Sequence, residues 1–277
     1  MAVEKIVITP LGSMGWIPVR DRHTCCYCVE YKDRLILLDA GTGVARFSEP
    51  ALAAIADKYD KVYIFLSHYH LDHIAGLIYL PHFFKGKEVH IAGPGKAIYG
   101  TDIKKILTIY TAYPFFSRSI TDFPMDIRFH NLRASNRKID GLHVETFLQR
   151  HSDPSLGIKI EDALCYSTDT ANPQDSAYYA LNSRVLLHES WYDSKEYREL
   201  FKQLGSSPDA RKAFFSHSSV EEVAQMASNM RVEALMLIHL NPDYSPRRLA
   251  AMEKQAQAIF PNSFLAQEGK SLEISMK

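Results

Sequence analysis

The chain is poor in the features that mark specialised protein classes. Only four of its 277 residues are cysteine. Cys25, Cys26, Cys28 and Cys165 form no C-x-x-C pair, which argues against a zinc ribbon or a thioredoxin-like motif. The strand-like run Thr24–Tyr31 puts Cys26 and Cys28 on one face and Cys25 on the other, as small buried hydrophobes of a reducing compartment. Glycine and proline number 13 each, too few for a collagen-like fibre or a low-complexity linker. Apolar runs such as Ala51–Ala56 stay far below the roughly 20 residues of a membrane-spanning helix. The N-terminal MAVEKIVITP has no long apolar stretch, so no secretory signal is visible and a cytoplasmic location is expected. Net charge is also missing. The 32 basic and 32 acidic residues cancel, which argues against a broad nucleic-acid footprint.

What remains is a globular composition, 46% apolar and 23% charged. Strand-like runs are Val3–Ile8, Thr24–Tyr31, Leu35–Asp39, Val62–Leu66, Val89–Ala92, Ile127–Asn131, His143–Gln149, Ala163–Ser167, Val185–His188 and Ala234–His239. Helical periodicity covers Glu49–Lys58, Ile74–Phe84, Ile103–Ile109, Lys195–Leu204, Val220–Met230 and Pro246–Phe260. Ser219-x-x-Glu222 reads as a capping box, and Ser245 precedes Pro246 at a first helical position. Helices spread among strands, with no linker or repeat, predict a single α/β domain over residues 1–277. The aromatic segment Ile109–Met125 could cover a pocket, form a subunit contact, or be a loop pinned to the core.

Histidine numbers twelve. Ser67–His73 reads SHYHLDH and places His68, His70, Asp72 and His73 directly after an apolar strand. Buried imidazoles and a carboxylate need partners that a hydrophobic neighbourhood does not supply, so the cluster points to metal. One ion can take His68 and His70, and a second Asp72 and His73. Two ions roughly 3.5–4 Å apart need a bridging ligand, and a carboxylate suits that role. His151, Asp169 and His239 each follow an apolar run, where α/β sheets commonly build sites. Each alone is a weak signal; the repeated placement is what raises the group.

These segments, in this order, resemble the metallo-β-lactamase superfamily. The resemblance runs through Leu11–Gly15 (LGSMG), Leu37–Gly41 (LLDAG), SHYHLDH, His151, Asp169 and His239. It implies a four-layer αββα sandwich with a dinuclear centre. His68, His70 and His151 would hold one metal, Asp72, His73 and His239 the other, and Asp169 would bridge. Asp39 would orient the His loop. His188–Ser190 (HES) and His217–Ser219 (HSS) resemble the ribonuclease Z branch, in part: Ser190, Trp191 and Ser219 depart from its pattern. The match gives Glu189 and His217 catalytic roles over the scissile phosphate, as an imidazole acid oriented by a carboxylate.

Ribonuclease Z proteins of the bacterial type carry a long basic arm between the positions of His151 and Asp169. Here 17 residues intervene, enough for a hairpin only. The smaller relatives that lack the arm resemble phosphodiesterases, so the resemblance implies a metal-dependent hydrolase, a phosphodiesterase acting on a small (cyclic) phosphodiester or nucleotide. A hydroxide bridging two divalent ions would attack phosphorus, and Asp72 would steer or deprotonate that water. Zinc suits His-rich ligands, with manganese or iron as other occupants. The alternatives are a ribonuclease Z-like endoribonuclease, a lactonase or other ester hydrolase, and a sensor module without chemistry. The expected partners are a small-molecule phosphodiester, RNA less so, no membrane, and, by the resemblance, a second copy in a homodimer. Trp191, Tyr192, Tyr178 and Tyr179 flank the site segments, where stacking on a base, covering an apolar group and plain packing are the three readings.

Overall fold

The computed structural model describes residues 5–203 and 216–276. The chain divides into two compact units. The first comprises Met1–Ser13, Ile17–Arg133 and Gln267–Lys277; the second comprises Met14–Trp16 and Ala134–Ala266.

The first unit is built on a seven-stranded sheet. Its strands are β1 (Lys5–Gly12), β2 (Cys26–Tyr31), β3 (Arg34–Leu38), β4 (Lys61–Phe65), β5 (Glu88–Pro94) and β6 (Asp126–Leu132), with β14 (Leu272–Ser275) from the chain end beside β1. Strands β3 to β6 are parallel; β14, β1, β2 and β3 pair antiparallel. Period-two alternation separates the faces. Leu35, Leu37, Val62, Ile64, Val89 and Ile91 share one buried cluster with Leu52, Leu77, Leu80 and Leu107 from the helical segments. Cys26 and Cys28 belong to this cluster and Cys25 does not. All four cysteines are buried free thiols, and burial pushes Cys165 up to about 12. They are small core residues.

The second unit carries the other seven-stranded sheet: β7 (Ser135–Ile139), β8 (Leu142–Gln149), β9 (Ser155–Ile160), β10 (Leu164–Ser167), β11 (Val185–Glu189), β12 (Ala234–Ile238) and β13 (Ser263–Leu265), in sequence order across the sheet. Strands β10 to β13 are parallel, and β7 to β10 form an antiparallel meander. The C-terminal ends of β8, β10, β11 and β12 therefore lie at one sheet edge. Helices Gln174–Ala180, Val220–Asn229 and Pro246–Ile259 complete its core.

Strand and helix bounds differ from the sequence reading by a few residues at most shared ends. Val3 and Leu204 lie outside the described residues. The short strands β7, β13 and β14 and the helix Gln174–Ala180 gave no period strong enough to read. One expectation is corrected. Ile74–Phe84 is not one helix but three short pieces, Leu71–Ile74, a 3₁₀ turn Ala75–Tyr79, and Leu80–Phe83. The Gly76 amide donates to the Ala40 carbonyl at 2.7 Å instead of to the preceding turn, and a Cβ at Gly76 would sit 2.2 Å from the Gly41 carbonyl oxygen, so only glycine fits this approach. Both helix caps form. Ser219 Oγ accepts from the Glu222 amide, and Ser245 Oγ from that of Arg248. In Ile109–Met125, Ile120 and Phe123 are buried in the core while Tyr113 and Phe115 are exposed. The loop is pinned by part of its aromatics only.

Candidate metal centre and acid–base pair

In the first unit the His-rich segment leaves β4 and is held from below by Asp39, which follows the neighbouring strand β3. Asp39 Oδ1 accepts from the Ser67 amide at 2.7 Å and Oδ2 from Ser67 Oγ at 2.8 Å. His73 Nδ1 donates to Oδ2 at 2.7 Å. Since the Ser67 hydroxyl proton goes to Asp39, the contact of 2.9 Å between Ser67 Oγ and His68 Nδ1 is donated by the imidazole. Both His68 and His73 thus carry the proton on Nδ1 and the lone pair on Nε2, the tautomer that metal binding through Nε2 requires. The His68 ring lies 4.4 Å from that of His70 and 4.3 Å from that of His73. His73 Nε2 is 3.3 Å from Asp72 Oδ2. The helix begins at Leu71, earlier than the periodicity indicated, so Asp72 and His73 sit in its first turn. Gly41 admits this turn: a Cβ there would stand 2.1 Å from the Asp72 carbonyl oxygen.

In the second unit Asp169 follows β10 and its two oxygens part. Oδ1 is 3.4 Å from His151 Nε2, and Oδ2 is 3.2 Å from His239 Nε2. Thr168 Oγ1 steadies Oδ2 at 2.8 Å. His151 Nδ1 donates to the Ser216 carbonyl at 3.0 Å, again leaving the lone pair on Nε2. Gly15 abuts the His239 ring, where a Cβ would fall 2.3 Å from it. Asp169, His217 and His239 bring ligand atoms within 4.8 Å of one another.

Glu189 ends β11 and is fully buried. It accepts from the Thr170 amide at 2.5 Å, the Ser218 amide at 3.3 Å and His217 Nδ1 at 3.2 Å. Burial pushes its carboxyl up; the neighbouring His239 and the two amides pull it down, and Asp169 adds to the rise. Trp191 stacks on His217, with centroids 4.6 Å apart and planes 16° from parallel. Of the other flanking aromatics, Tyr179 lies flat on Phe147 at 4.1 Å and Tyr192 lies 5.8 Å from Tyr197, while Tyr178 is 77% exposed. Of the residues expected at the site, His68, His70, Asp72 and His73 cluster in the first unit. His151, Asp169, Glu189, His217 and His239 cluster in the second. Sequence reasoning missed the role of Ser67. Its position between strand and histidines was the available signal.

A family model described as a β-lactamase superfamily domain matches residues 34–240. The chain belongs to this family. Among curated relatives, a ribonuclease Z of Treponema pallidum is 22% identical, the match covering 93% of this chain and 94% of the relative. Among solved structures, the metallo-β-lactamase fold protein YhfI of Bacillus subtilis matches 98% of this chain and 99% of its own, with a TM-score of 0.70 at 20% identity. A diphosphatase of the PhnP family matches 99% of both chains, with a TM-score of 0.68 at 17% identity. This β-lactamase superfamily chain is thus an α/β protein of the metallo-β-lactamase fold and an enzyme of the hydrolase class, with ribonuclease Z-like relatives. The fold implies use of divalent metal, and the His/Asp groups able to hold it are present. Among the described residues no helix is long and apolar enough to cross a membrane.

Proposed function

We propose that the protein is a divalent-metal-dependent phosphodiesterase acting on a small phosphodiester. The observation that carries this reading is the Glu189–His217 pair. A metal-assisted hydrolase needs its ligands alone, whereas a poor alkoxide leaving group also needs a proton. His217 Nδ1 is held by the buried Glu189 carboxylate at 3.2 Å, which leaves Nε2 to exchange a proton with the departing oxygen. Amides of Thr170 and Ser218 keep the carboxylate in place.

The residues fit a pair of metal ions. His68, His70 and His151 would hold one, Asp72, His73 and His239 the other, and Asp169 would bridge. The parting of the two Asp169 oxygens toward His151 and His239 supports the bridging role. The imidazoles of His68, His73 and His151, fixed with Nε2 as the lone-pair nitrogen, support metal ligation. Zinc suits this donor set best. The ions would supply Lewis acidity at the phosphoryl group and lower the pKa of a water. Asp72 would orient that water by accepting its proton.

The test is hydrolysis of bis-p-nitrophenyl phosphate and cyclic nucleotides after loading with zinc or manganese. Turnover is expected. No turnover of any phosphodiester with two metals bound per chain would reject the reading. His217→Ala should lower the rate far more for an alkoxide leaving group than for p-nitrophenolate; equal losses would remove the acid role.

A second reading, ribonuclease Z-like cleavage of RNA, is favoured by the name of the Treponema relative. It predicts RNA affinity that falls steeply with salt. Against it, residues 155–160 form β9, paired with β8 on one side and β10 on the other, and no basic arm leaves this stretch.

A further inference from the structure

The second unit contains a cavity of about 710 Å³, reaching from His151 to walls formed by Leu148, Pro154, Ala171, Tyr197 and Phe201. This is within the range of roughly 300–1,000 Å³ typical of small-molecule sites. Tyr197 and Phe201 stand one turn apart on helix Ser194–Gln203, with ring centroids 6.5 Å apart. Tyr197 is fixed by a hydrogen bond of 3.2 Å from its hydroxyl to Glu222 Oε1. Leu148 and Phe201 keep 55% and 40% of their surface exposed. Large apolar groups left open beside a site gain by being covered.

The charge on this wall belongs to Arg150, and it is already engaged. The guanidinium donates to Asp175 Oδ1 through Nη2 at 2.8 Å and through Nε at 3.1 Å. A nucleic-acid strand or a polyphosphate needs cations along its path. This lining offers mainly hydrophobic surface instead, with Gln149 and Asn172 among its polar residues. His151, which the phosphodiesterase reading makes a metal ligand, lines the same cavity, so a phosphate held by that metal would sit beside it.

We propose that this cavity binds the uncharged, aromatic ester group of the phosphodiester substrate. The proposal rests on the phosphodiesterase reading and narrows it. The substrate is a small diester with one ring-bearing arm, not a chain of phosphates. Flat rings suit a wall of two aromatic side chains, whose faces and edges can both be used.

The test uses the metal-loaded full chain and two diesters with the same p-nitrophenolate leaving group, benzyl and methyl p-nitrophenyl phosphate. Intrinsic reactivity is then nearly matched, and the ratio of kcat/KM values reports on the second arm alone. The benzyl ester should be preferred by about tenfold, as expected when a ring-sized apolar group leaves water. Phe201→Ala, which removes one wall, and Ala171→Leu, which fills the cavity, should each bring the ratio toward one. Partial misfolding lowers both rates and leaves the ratio in place. A ratio near one in the parent protein, or a ratio that neither substitution changes, would overturn the assignment of the cavity. Continued hydrolysis of the methyl ester would then leave the phosphodiesterase reading standing. No hydrolysis of either ester would overturn both.

Discussion

Asp39, Asp169 and His239 all adopt a left-handed backbone, with φ of 57°, 52° and 49°. Non-glycine residues avoid this region, although aspartate, asparagine and histidine tolerate it best. Three such residues at strand ends indicate strain held in place by surrounding contacts. Asp39→Asn keeps the backbone preference and removes the charge that fixes Ser67 and His73. Zinc affinity should fall by about 10–100-fold, the usual cost of losing such a supporting carboxylate. Competition with a chromophoric chelator measures it, and an unchanged affinity would contradict the role given to Asp39. His188 behaves differently. It is wholly buried, and burial lowers its pKa to about 4. The unfolded chain, with a histidine near 6.5, therefore binds the proton first as pH falls. Stability from this group is present above about pH 6.5 and is lost progressively down to about pH 4. His188→Gln should show a shallower fall of the urea midpoint across that interval than the parent.

At the scale of elements, helix Val220–Asn229 begins two residues after the amide that supports Glu189. Its cap is built by Ser219, whose hydroxyl accepts from the Glu222 amide and donates to Glu222 Oε2 at 2.8 Å. Ser219→Ala should cost about 1 kcal/mol, and the melting temperature should fall by roughly 2–4 °C. Calorimetry checks this. The parallel run β10–β11–β12 places Asp169, Glu189 and His239 at one edge, because parallel strands deliver their C-terminal ends together. The hairpin β9–β10 explains how 17 residues carry the chain from His151 to Asp169.

For the whole molecule, the proposed ligands are seven side chains scattered along the sequence. Metal bound by such a set stabilises the native chain and has little to hold in the unfolded one. At free zinc about 100 times its dissociation constant the gain is about 2.7 kcal/mol. Melting should therefore rise on metal addition to chelator-treated protein and fall again with a chelator. Substituting His68 should reduce the rise, and so should substituting His239. A rise that survives both substitutions would mean that metal binds elsewhere.

The sequence alone determined the local content. Runs of apolar and β-branched residues set ten strands, Ser219 and Ser245 set two helix starts, and SHYHLDH pointed to metal. Such signals are short-range, since side-chain period and capping chemistry act within a few residues. Order along the chain, through a family resemblance, supplied Asp39, the more distant proposed ligands and the Glu189–His217 pair. Only the tertiary structure decided which atoms of Asp39 hold Ser67 and His73, how the Asp169 oxygens divide, and that Tyr197 and Phe201 line a cavity with His151. Asp39 reaches His73 across 34 residues, and no local period encodes a contact of that span. It depends on strands β3 and β4 lying side by side, which the whole set of packed side chains selects.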